Sequence, residues 1–267
     1  MKKISLLTVY ALFAIFLSTP TSVKALTFNT GINEITIFDG NSNNNWYDNV
    51  TNSSGVSPED NEVEPGCVRN QKWDLEGFFF EKNILSMVGG YNFKDGVSEI
   101  KSGDIFISTT NVNKTTGNTS STTGNNELFN NYGYDYVLDL DFNNFTYDVV
   151  AIDTDTMVTS SYYTQNQSSN PWRYASGGET LKQNMDFEFL VGKDNDFSSN
   201  FSGNNHYAVT GFDLSFLGHG TNFYSHFTMG CGNDNLMGKG IVTPEPSTFL
   251  LMGAGLIGLA FSFRRRK

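Results

Sequence analysis

Tyr134–Asp141 reads YDYVLDLD, and His206–Leu217 reads HYAVTGFDLSFL. Apolar and polar residues alternate in both, the two-residue period of a strand with one buried and one wet face. Similar runs recur at Thr27–Asp39, Trp73–Phe80, Ile84–Val88, Asp104–Ser108, Phe145–Ile152, Met185–Val191 and Phe223–Met229. Between them cluster Asn, Gly, Ser and Asp, the residues that accept tight turns. Nothing between residues 26 and 243 sustains the i, i+3, i+4, i+7 apolar stripe of a helix. Some nine to eleven short strands without helices, roughly the content of two packed sheets, predict an all-β domain: an antiparallel β-sandwich, jelly-roll-like in character.

Residues 41–58 and 109–132 are too rich in Asn, Thr, Ser and Gly to enter a core and read as long exposed loops. Asn-x-Ser/Thr triplets at Asn49, Asn52, Asn113, Asn118, Asn144, Asn166 and Asn200 leave open a carrier role through glycosylation. At the start, Lys2 and Lys3 precede an apolar run from Ile4 to Leu17, and Val23-Lys24-Ala25 offers a small-x-small cleavage site. Residues 1–25 therefore read as a secretory signal peptide with a helical apolar segment, and residues 26–243 as the exported body.

The other end has three parts in fixed order. Pro244-Glu245-Pro246 comes first, then an apolar run from Phe249 to Phe263, then the cationic Arg264, Arg265, Arg266 and Lys267. As a helix the apolar run would be about 22 Å long, short against a hydrocarbon core of roughly 30 Å unless Ser247 and Thr248 extend it. The positive cluster would act as a cytoplasmic stop-transfer signal, leaving the body outside. Residues 244–267 together resemble the PEP-CTERM sorting signal of Gram-negative bacteria. The resemblance implies anchoring in the inner membrane by a C-terminal transmembrane helix. It further implies processing near the Pro-Glu-Pro by an exosortase in cells that make exopolysaccharide, with release to the cell surface or beyond. It covers the tail alone and bears on destination rather than on the activity of the body.

The full chain carries a net charge of −11. Setting aside Lys2, Lys3, Lys24, the four tail cations and Glu245 leaves 10 basic and 27 acidic residues in the body, near −17. Nucleic acid and anionic lipid are poor partners for such a body, because both are gripped by Lys and Arg facing phosphate. Two cysteines, Cys67 and Cys231, both lie in the exported part. In an oxidising compartment they read as one disulfide fastening the end of the domain, worth ~4–5 kcal/mol by loop closure, or else as two separate buried thiols.

Candidate chemistry is sparse. Asp39, Asn41, Asn43 and Asn45 alternate like the start of an EF-hand loop, but Asn44 stands where glycine is required and Val50 where glutamate is. Asp60, Glu62 and Glu64 alternate too; joined by Asp74, Glu76 or Asp104 they could hold structural calcium, or simply form a solvated acidic edge. The calcium reading settles on Asp60, Glu62, Asp74 and Asp104. The same acids could supply the carboxylate pair, ~5 to 9.5 Å apart, of a carbohydrate-active surface enzyme. Trp46 and Trp172 sit in polar surroundings where they could stack on sugar, although packing is the commoner fate of tryptophan. His219 and His226 would face opposite ways on one strand, and Gly218 and Gly220 favour a turn there. Gly253-Ala-Gly-Leu-Ile-Gly258 matches a dinucleotide fingerprint but lies inside the apolar run, with no strand before it. Met229–Gly240 reads as a glycine-rich exit from the last strand. No catalytic constellation emerges, and the expectation is a non-enzymatic structural or adhesive protein working beside exopolysaccharide or biofilm.

Overall fold

A computed structural model describes residues 28, 33–37, 68–110, 127–163, 169–197, 201, 203–232 and 234–243. These hold thirteen strands, numbered along the chain, in three antiparallel sheets. The first has the order β1 (Leu75–Glu81), β2 (Ile84–Gly89), β11 (His206–Asp213), β10 (Glu188–Gly192). The second runs β13 (Asn235–Ile241), β12 (Asn222–Thr228), β3 (Ile105–Ser108), β5 (Tyr136–Asp141), β6 (Thr146–Ala151), β9 (Glu179–Asp186). A small third sheet contains β4 (Glu127–Phe129), β7 (Met157–Thr159) and β8 (Arg173–Ser176). The helical content is short: one turn of α-helix, α1 (Asp194–Phe197), and 3-10 turns at Val68–Trp73 and Ser215–Leu217. The all-β, antiparallel reading is therefore correct for the described residues.

The main core explains the alternation. Phe78, Leu85, Met87, Val209 and Phe212 of the first sheet pack with Ile105, Ile107, Leu138, Leu140, Tyr147, Val149, Phe223, Phe227 and Leu236 of the second. Edge-to-face rings recur through it, as in Tyr147–Phe212 at 5.3 Å and Phe93–Phe227 at 5.6 Å. Each such pair adds about 0.5–1.5 kcal/mol beyond its buried area. The second sheet is also covered on its other face: Phe106, Val137, Val150, Tyr224 and Met237 pack with Val158 of β7. Hence Val137 is buried although it points away from the main core. The edge strand β9 is polar and largely exposed, which discourages pairing with further chains.

Four expectations are revised. Of the Thr27–Asp39 strand, residues 28 and 33–37 are described, and 33–37 stitch the two large sheets together. Ile35 N donates to Phe78 O (2.9 Å) on one side, while Lys239 N donates to Ile35 O (2.9 Å) on the other. Met185–Val191, read as one strand, is two. The chain leaves the second sheet at Asp186, turns at buried Phe187 and joins the first sheet at Glu188. The supposed glycine-rich exit contains β13, whose residues Asn235–Gly238 are buried. Its glycines answer to crowding: a Cβ on Gly238 would lie 2.4 Å from Ser225 Oγ, and one on Gly240 2.5 Å from the Phe223 ring. The end of the second polar stretch is not exposed loop: it contains β4, and Asn130 and Tyr132 behind it are buried. The signal segment, residues 41–58, residues 111–126 and the expected C-terminal helix lie outside the described residues.

Candidate functional site

At one end of the second sheet, β3 and β5 bring two aspartates together. Their register pairs Ile105 with Leu138, so the preceding Asp104 falls opposite Asp139. Asp104 is only 1% exposed. Its Oδ1 accepts from Leu140 N (3.0 Å) and its Oδ2 from Tyr174 N (2.8 Å), tying β3 to β5 and β8. Arg173 Nε stands 3.9 Å from Asp104 Oδ2. Burial, and then the neighbouring charge of Asp139, push the Asp104 carboxyl up to about 7, against the pull of Arg173 and the two backbone donors. Asp139 is raised as well, by burial first, with Arg173 opposing and Asp148 and Asp141 adding to it.

In front of this couple opens a cavity of about 480 Å³, lined by Lys94, Lys101, Asp139, Asp141, Phe142 and Arg173 among others. Local chain chemistry fixes its walls. Asn92 Oδ1 accepts from Lys94 N and Asp95 N (both 3.1 Å), shaping the turn that presents Lys94. Gly96 is required there: its φ is +75°, and a Cβ would meet Ile100 O at 2.1 Å. Lys101 Nζ donates to Asp95 O (2.8 Å), and Ser102 Oγ donates to Phe93 O (2.6 Å). In the β5–β6 turn, Asn144 Nδ2 donates to Asp141 Oδ2 (2.7 Å) and Asn143 N to Asp141 Oδ1 (2.8 Å). These bonds hold the Asp141 carboxyl below its usual value, so it stays ionised.

A second polar cluster lies in the first sheet. His206 is fully buried; its Nδ1 is 2.7 Å from Glu76 Oε2, its Nε2 is 2.7 Å from Asp194 Oδ1, and Gln71 Nε2 donates to Glu76 Oε1 at 2.9 Å. Burial alone would drive the imidazole pKa down; the bonds and charges of Glu76 and Asp194 outweigh it and raise the pKa. The group clamps α1 onto β1 and β11. His226, by contrast, is buried on β12 against the Tyr134 ring (5.5 Å), and its Nε2 donates to Pro171 O (2.8 Å).

Of the acids anticipated for calcium or carboxylate-pair chemistry, Asp74 leads into β1 of the first sheet and Asp104 into β3 of the second; both are buried. Asp104 has Asp139 and Arg173 for charged neighbours, and Glu76 is engaged with His206. Asp60 and Glu62 lie outside the described residues. Among the described residues no three His, Cys, Asp or Glu side chains gather to hold a metal ion. Trp172 is buried against Tyr162, with ring centroids 5.0 Å apart. His219 lies in the turn after Gly218, and His226 alone is on β12. Lys94, Lys101, Asp139 and Arg173 escaped the sequence reading. The alternation of YDYVLDLD offered a signal for Asp139 and Asp141 that the sequence reading did not use, while nothing local to Arg173 announces that it folds across them.

The fold also fixes where the tail leaves. Val242 is buried, with its N–H donating to Thr221 O (3.0 Å) and its carbonyl accepting from Gly220 N (2.8 Å). Asn83 then holds Thr243 at both backbone groups: Nδ2 donates to Thr243 O (2.8 Å) and Oδ1 accepts from Thr243 N (2.9 Å). Asn83 can reach because Lys82 and Asn83 both adopt positive φ, 52° and 65°, in the two-residue β1–β2 turn. Pro244, without an N–H, follows at once.

Beyond Thr243 the sequence runs directly into the tripartite tail. Residues 242–267 match the PEP-CTERM protein-sorting motif. That motif marks a chain exported and processed at the membrane by an exosortase. The residues that resembled the signal in the sequence, Pro244, Glu245, Pro246, Arg264, Arg265, Arg266 and Lys267, fall within the matched span. No curated protein and no solved structure matches the chain. Among the described residues no helix is long and apolar enough to cross a membrane.

Proposed function

We propose that this protein is a structural or adhesive component of the cell surface or extracellular matrix, working beside exopolysaccharide. Residues 1–25 are removed on export. Residues 249–263 hold the precursor in the inner membrane until an exosortase acts near Pro244-Glu245-Pro246, and the β-domain then passes to the surface. The observation that carries this reading is the match of residues 242–267 to the sorting motif, whose first two residues, buried Val242 and Asn83-bonded Thr243, belong to the β-domain just ahead of Pro244-Glu245-Pro246.

The structure contains no Cys67–Cys231 bridge, and Cys67 lies outside the described residues; a bridge made on export would fasten the end of the same domain, beside the bond from Leu75 N to Asp234 Oδ2 (2.6 Å). The experiment is retention of the mature protein on the producing strain's own polysaccharide, with and without calcium. Retention supports the adhesive role, and a calcium requirement would bring in Asp60 and Glu62. Loss of retention in both conditions refutes it.

A further inference from the structure

We infer that the cavity between the residue 92–101 loop and the β5–β6 turn binds a carboxylate-bearing saccharide, a uronic-acid unit of an acidic polysaccharide. This deepens the adhesive reading above and rests on it. The body has 10 basic and 27 acidic residues, yet three of those ten, Lys94, Lys101 and Arg173, line this one cavity against two carboxylates, Asp139 and Asp141. Even counting buried Asp104 behind Arg173, cations equal carboxyls there, whereas acids outnumber bases nearly threefold in the body, and a concave site concentrates the field of its lining charges.

The Arg173 side chain is 47% exposed, so its fork is open to a ligand beyond its long 3.9 Å approach to Asp104. Lys101 Nζ spends one bond on Asp95 O, and an ammonium has three to give. Lys94 Nζ rests 5.1 Å above the Phe145 ring, which places the charge without using its hydrogens. Opposite these donors, ionised Asp141 offers an acceptor for sugar hydroxyls, and half-buried Phe142, braced 5.3 Å from Phe187, offers an apolar face. A volume of about 480 Å³ lies in the range of small-ligand sites. Phosphate fits less well, since a doubly charged group would meet both Asp139 and Asp141. A monoanionic ring with vicinal hydroxyls satisfies the cations and the acids together.

The test is calorimetric titration of the mature, exported protein with trigalacturonate and with a neutral trisaccharide, maltotriose. Wild type is compared with Lys94→Gln, Lys101→Gln and, as a control outside the cavity, Lys82→Gln. Trigalacturonate should bind and maltotriose should not. Each cavity variant should weaken binding about tenfold, the worth of one lost charged contact. Lys82→Gln should match wild type, and added salt should weaken binding. Both cavity lysines are exposed, so the variants should keep the wild-type melting temperature; if Lys101→Gln lowers it, Lys94→Gln decides. Equal binding of the two sugars, or undiminished binding in the cavity variants, overturns the inference. Native polysaccharide retained equally by wild type and both variants would refute this site while leaving the adhesive role standing; no retention of any polysaccharide refutes both.

Discussion

Replacing His226 by phenylalanine should change how stability depends on pH rather than merely lower it. His226 is fully enclosed, and that burial holds its imidazole down at about 4, against 6.5 in an unfolded chain, despite the favourable bond to Pro171 O. Between those values the unfolded state binds a proton that the native state refuses. The group's contribution is therefore intact above pH 6.5 and is lost as pH falls toward 4. Each pH unit of that gap is worth about 1.4 kcal/mol, so acidification from pH 7 to pH 4 should cost wild type about 3 kcal/mol through this residue. Phenylalanine keeps a ring against Tyr134 but leaves Pro171 O without its donor, a pH-independent loss of about 1–2 kcal/mol. The assay is urea unfolding followed by far-UV circular dichroism at pH 7, 6, 5 and 4. The variant should begin less stable at pH 7 and then approach or overtake wild type by pH 4. Parallel stability curves for the two proteins would refute the reasoning.

Asp104 carries the opposite sign. Its folded value near 7 lies above the unfolded 3.8, so its contribution is present below 3.8 and lost as pH rises through 7, by roughly 4 kcal/mol. Asp104→Asn should thus be more harmful relative to wild type at pH 5 than at pH 8; an equal penalty at both would count against the buried charge. Asn83→Gly keeps the turn's positive φ but drops both bonds to Thr243, and should cost about 1–2 kcal/mol. Amide hydrogen exchange at Thr243 should accelerate, and unchanged protection would show that the clamp holds nothing. Gly238→Ala forces a methyl against Ser225 Oγ and should destabilise by about 1–3 kcal/mol in the same unfolding assay. Exported protein should resist alkylation until reduced if Cys67 and Cys231 are bridged; two labels on denatured, unreduced protein would disprove the bridge.

Strand alternation was legible wherever one face of a strand meets the sheet–sheet core, because that period is a local property. It failed where tertiary context overrode it. The strand β13 was hidden by Gly238 and Gly240, which are small because Ser225 and Phe223 occupy their side-chain space. The corner at Phe187 was hidden because a run that changes sheets keeps its strand-like pattern on both sides. The third sheet was hidden because it is short, and its burial comes from covering Val137 and Phe106 rather than from its own apolarity.

The chain's destination is written in sequence alone. Pro-Glu-Pro, an apolar run and a cationic end act in order along the polymer, so their reading needs no fold, and the matched motif spans them. The cleft is different in kind. Asp139 lies 35 residues after Asp104 and Arg173 34 after that, and they meet only because antiparallel register sets 104 against 139 while the third sheet lays 173 across them. Charge can be counted along a chain, but where it converges is decided by strand pairing over long separations.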